Sequence, residues 1–82
     1  MTLADTVELM QSSDYKERFK AEYQQTKIRY EGLHKMRVKW DAGKLEFTPT
    51  CPKSLYLEQE RYMLEYLRVL ETRALLEGIE LD

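Results

Sequence analysis

Cysteine, proline, glycine and histidine are all scarce in this chain of 82 residues, which holds one Cys, two Pro, three Gly and one His. The single cysteine, Cys51, excludes an internal disulfide and any multi-cysteine zinc site. It fits a reducing compartment. His34 alone cannot make a metal centre, and Glu58, Glu60, Glu65 and Glu71 do not stand at the E-x-x-H spacing of carboxylate-bridged sites. No apolar run approaches the ~18 residues that a membrane span needs. The opening stretch MTLADTVELMQSS carries Asp5 and Glu8 and no basic residue, which excludes a signal peptide. A glycine-rich phosphate loop and internal repeats are also missing. The expectation is a soluble intracellular protein with no metal and no cofactor, and no motif that names a reaction.

What the chain does have is charge and amphipathic pattern. Charged residues make up 34% and hydrophobic residues 43%, a combination that suits solvated amphipathic helices better than disorder. The net charge of −2 argues against bulk nucleic-acid binding. A chain this short forms one domain and buries only about 60% of its unfolded surface on its own.

The periodicity predicts an all-α protein. Leu3, Val7 and Met10 mark a short helix over about 3–11. Asp14 followed by Glu17 has the form of a reciprocal cap and opens a long helix over about 14–41. Its apolar stripe runs through Tyr15, Phe19, Tyr23, Thr26, Tyr30, Leu33 and Trp40, with Arg37 interrupting it. Gly32 lies inside this helix at a cost of up to ~1 kcal/mol, which points to a close neighbour or a slight bend. Gly43 is placed to end the helix in the left-handed conformation. A bend over 42–51 follows, and a second long helix over about 52–77 starts with Pro52 at its first position, Cys51 or Thr50 capping it. Gly78 stops it, and Ile79 and Leu81 of the tail IELD can fold back onto the body.

The last helix carries two apolar stripes. Met63, Leu67, Leu70 and Ala74 form one; Tyr62, Tyr66, Val69 and Leu76 form the other. A two-helix hairpin covers one stripe per helix. The second stripe therefore requires the N-terminal helix, another subunit, or both, and a homo-oligomer with Tyr62, Tyr66, Val69 and Leu76 at its interface is expected. Leaving four large side chains wet would forgo several kcal/mol at ~25 cal/mol per Å².

Charge is unevenly divided: residues 14–44 have nine Lys/Arg against five Asp/Glu, and residues 45–82 have four against eight. One reading is that oppositely charged antiparallel helices set their register. The other is an anion site at the bend, built from Arg37, Lys39, Lys44 and Lys53, hydroxyls of Thr48 and Thr50, and the free N–H groups of the last helix. Such a site would leave Arg37 and Lys53 dispensable for stability. A third possibility, a reactive Cys51 with His34 as base, needs a third group that the sequence does not supply. Otherwise Cys51 is a small buried cap residue. At the bend, Trp40, Leu45 and Phe47 are expected to turn inward and close the end of the hairpin.

The segments DYKERFKAEYQQTKIRYEGLHKM, AGKLEFTPTCP and YMLEYLRVLETRALLEGIEL resemble small phage and prophage proteins of a helical-hairpin family named after a crAss-like phage protein. The likeness covers roughly residues 14–81, and its most specific part is FTPTCP joined to YLRVLETRALLEGI. In layout the chain is also similar to the hairpin sponge proteins with which phages counter CBASS and Thoeris immunity. The resemblance implies a non-enzymatic phage accessory protein in the host bacterial cytoplasm. Its partner would be a host defence protein, as in anti-CRISPR inhibition, or a cyclic or other immune nucleotide. The alternative is a structural or assembly subunit whose helices only mediate oligomerisation.

Overall fold

Asp14 opens the main body: its backbone is extended and its carboxylate accepts from the Lys16 N–H, satisfying one free donor of a helix start. In the computed structural model, which describes residues 1–81, the chain is all-helical. A single 3-10 turn at Ala4–Thr6 runs into α1 at Val7–Met10; α2 spans Tyr15–Asp41 and α3 spans Lys53–Glu77. The expected reciprocal cap takes another form. Glu17 accepts from the Ser12 hydroxyl, and the same hydroxyl accepts from the Asp14 N–H, so Ser12 mediates what a direct contact would have done.

Both long helices end as their glycines require. Gly43 has φ +71, with Gly43 N–H donating to Trp40 C=O and Lys44 N–H to Lys39 C=O. Gly78 has φ +69, and the Ile79 N–H reaches back 2.8 Å to Ala74 C=O. That turn drives Ile79 into the core and leaves Leu81 packed against it. Asp82, the last residue of the tail, lies outside the described residues. The start of α3 differs from expectation: Pro52 is the cap, with ψ 145, and the helix begins at Lys53. Cys51 is exposed, not a buried cap: Pro52 sets the entry angle, and no side chain accepts a bond at the cap.

The core lies between α2 and α3: Phe19 and Tyr23 meet Leu67, Leu70, Ala74 and Ile79, with Tyr30 partly covered beside them. The first stripe of α3 is thus the buried one. Cross-helix hydrogen bonds reinforce it: Tyr23 donates to Glu71, and Tyr15 donates to Glu77 and accepts from Arg73, each at 2.8 Å. Gly32 meets nothing within 4 Å of where a Cβ would stand, so no neighbour approaches it closely.

The N-terminal segment packs on α2 and makes no approach to α3. Buried Thr6 anchors it, donating to Leu3 C=O and accepting from Gln25 of α2. The idea that this segment covers the second stripe of α3 is therefore overturned. Gln25 is the residue of α2 that meets the segment, donating to Thr6 and Met10, while neighbouring Gln24 donates to Leu81 C=O of the tail. Tyr62, Tyr66, Val69 and Leu76 remain between 42% and 81% exposed.

Candidate binding site

At the bend end of the hairpin the contact is polar. Glu60 is buried, at 6% exposure, on the face of α3 turned to α2. Arg37 grips it with two donors, Nε to Oε2 at 2.7 Å and Nη2 to Oε1 at 3.1 Å. His34 Nδ1 lies 2.8 Å from Oε1. The ionised Glu60 carboxylate only accepts, so Nδ1 donates to it, and Arg37 Nη2, itself a donor, lies 3.2 Å from the same nitrogen without a bond. The His34 ring stacks on Tyr30, which fixes its plane. The Arg37 guanidinium, aided by His34, holds the Glu60 carboxyl below the usual carboxylate range, against the burial that pushes it up.

The network extends outward. Arg37 Nη1 donates to Asp41 Oδ2 at 2.9 Å, and Lys53 Nζ donates to Asp41 Oδ1 at 2.6 Å. Lys53 then Arg37 lower the Asp41 carboxyl. Lys53 also lies over the Trp40 ring, 5.1 Å from its centroid, and Trp40 meets Tyr56 edge-on. Arg37 interrupts the apolar stripe because a carboxylate, not a side chain of the core, faces it. Its charge belongs to the packing of the hairpin, so its removal should lower stability.

Of the six residues that sequence reasoning placed in an anion site, two are thus engaged by carboxylates. Lys39 and Lys44 are in no ion pair among the described residues, and with Leu45, Glu46 and Phe47 they line an open cleft of about 180 Å³. Thr48 and Thr50 stand exposed in the loop beside it, with no bond to the cations. Phe47 does not turn inward: it is 59% exposed, because Trp40 on Tyr56 already closes the hairpin end. Cys51 and His34 share no contact, and His34 is committed to Glu60 and Tyr30. The role of Glu60 escaped sequence reading. Its signal was the cation Arg37 in an apolar stripe, which asks for a buried anion across the interface.

Among the described residues no group of His, Cys, Asp and Glu is arranged to hold a metal, and no helix is long and apolar enough to cross a membrane. Along the outer side of α3, Leu55, Glu58, Gln59, Tyr62, Met63 and Tyr66 line a second, shallow and mostly apolar groove of about 420 Å³.

No curated protein and no solved structure matches the chain significantly. A family model described as Sequestin does match, over residues 13–76, from the turn before α2 to the last turn of α3. That match takes in both long helices and the bend between them, and the chain belongs to the Sequestin family.

Proposed function

We propose that the protein works by binding and withholding a target, without chemistry, as a phage counter-defence protein, and that the target is an anionic nucleotide immune signal held at the bend. The observation that carries this reading is the cleft beside α2: Lys39 and Lys44 are in no ion pair among the described residues and line it with Glu46 and the exposed ring of Phe47. Two ammonium groups supply charge for a phosphate. An exposed aromatic ring supplies a stacking face for a base, at ~1–3 kcal/mol per base. Thr48 and Thr50 add hydroxyl donors within the same loop. The family name speaks of sequestration, which agrees with binding in place of turnover.

Expression of the protein alone should rescue a defence-sensitive phage in a plaque assay. Protein purified from the defended host and then denatured should release a phosphate-bearing small molecule that mass spectrometry identifies. Lys39→Ala with Lys44→Ala should abolish both the rescue and the released compound. A wild-type protein that neither rescues the phage nor carries such a compound defeats the proposal and favours the role of an assembly subunit.

A further inference from the structure

We infer that the outward seam of α3 is a contact surface for a second copy of this chain, packed antiparallel so that Tyr66 of one copy meets Val69 of the other. The seam is defined by spacing. Leu55, Gln59, Tyr62, Tyr66, Val69, Arg73 and Leu76 recur at alternating steps of four and three, the 3.5-residue period of a two-helix interface. It lies beside the buried Leu67–Leu70–Ala74 face, and the N-terminal segment is committed to α2.

The area is that of an interface. Tyr62, Tyr66, Val69 and Leu76 are 52%, 42%, 56% and 81% exposed. Together they present on the order of 500 Å² of apolar surface, taking ~150–250 Å² for each large side chain laid bare. A stable dimer buries ~800 Å² per partner including its polar rim. Glu65 and Thr72 border the seam, and Gln59 and Arg73 add polar surface within it, Arg73 being held by Tyr15 and Glu77 of its own chain.

Charge selects the register. Parallel pairing would set Arg73 against its own copy within the seam. Antiparallel pairing centred near residue 64 would set Glu65 against its own copy. Antiparallel pairing about a two-fold between Leu67 and Arg68 avoids both. It places Tyr66 on Val69, Tyr62 beside Arg73, Gln59 beside Leu76, and Glu65 beside Thr72. Like charges do not meet along the seam, and each contact occurs twice, as a two-fold interface requires.

The test reads mass in solution and needs no ligand, so it is independent of the binding reading above. Light scattering should give twice the 9.9 kDa chain mass at roughly 100 µM and a fall toward the monomer on dilution. Val69→Lys and Tyr66→Glu should each weaken self-association by about 100-fold, since each buries a lone charge, while leaving helicity unchanged. Mixing these two variants should restore a dimer, because antiparallel pairing brings the two changed positions together. On a Cys51→Ser background, Glu65→Cys with Thr72→Cys should give disulfide-linked dimers on oxidation, a readout that survives if either charged variant misfolds. A wild-type monomer at that concentration, variants that stay dimeric, a mixture that stays monomeric, or the absence of cross-linking each overturns the inference. A strict monomer would leave the seam to a foreign partner.

Discussion

Arg37 and Glu60 face each other across the hairpin as a two-pronged ion pair, with Nε and Oε2 2.7 Å apart and the carboxylate buried. Removing Arg37 leaves the buried Glu60 carboxylate with His34 as its remaining partner, a desolvated charge that is costly to leave short of partners. Arg37→Ala should therefore lower stability in a urea titration. The double change Arg37→Met with Glu60→Leu should cost far less, since no charge is left buried.

The same pair predicts acid sensitivity. The Glu60 and Asp41 carboxyls are both lowered in the folded protein, by Arg37 and by Lys53 respectively. Their stabilising effect is therefore present above the ordinary carboxylate value of about 4. It is lost as pH falls through the lower folded value. Melting temperature should drop as pH is taken from about 5 toward about 2, and Glu60→Gln should flatten that slope. A slope unchanged in Glu60→Gln would rule the pair out as its source.

Gly32 and Gly78 should respond in opposite directions to the same change. Gly32 lies in the exposed interior of α2 with open space around it, so Gly32→Ala should stabilise by roughly 0.5–1 kcal/mol. Gly78 sits at φ +69, where a Cβ is strained, and Gly78→Ala should destabilise by about 1–2 kcal/mol. Thermal melts of the two variants check both signs.

Leu70 is fully buried, and Leu70→Ala should cost about 2–5 kcal/mol. Phe47→Ala should change stability by less than about 0.5 kcal/mol, as the ring is mostly exposed. Loss of phage rescue in Phe47→Ala at an unchanged melting temperature would tie that ring to binding. Full rescue would remove it from the site.

Both long helices, the two glycine stops and the return of Ile79 were legible, because helical period and capping chemistry are local properties of the chain. So was the presence of two stripes on α3, although not which neighbours cover them. The choice of α2 as the seat of the N-terminal segment depends on Thr6 and Gln25 meeting, and nothing local signals a hydrogen bond across so many residues. The exposed position of Phe47 was missed for a similar reason. Trp40 and Phe47 both suit a hydrophobic plug, and only the contact of Trp40 with Tyr56 decides between them. Among the candidate site residues, spacing brought the cations to one end of the hairpin. It did not reveal that Asp41 and Glu60 engage two of them.

The hairpin is held by different forces at its two ends: apolar side chains around Leu70 and Ile79 at one, the Glu60–Arg37–Asp41–Lys53 chain of charges at the other. Local opening should therefore follow the solvent. Screening by salt weakens the exposed Asp41 pairs, and acid removes the carboxylates, so amide hydrogens near the bend should exchange faster under both conditions. Apolar burial weakens on cooling and strengthens with excluded salts such as sulfate. Exchange at the far end should slow in sulfate, and it should gain relative to the bend as the temperature falls. One hairpin would then open from either end according to the medium around it.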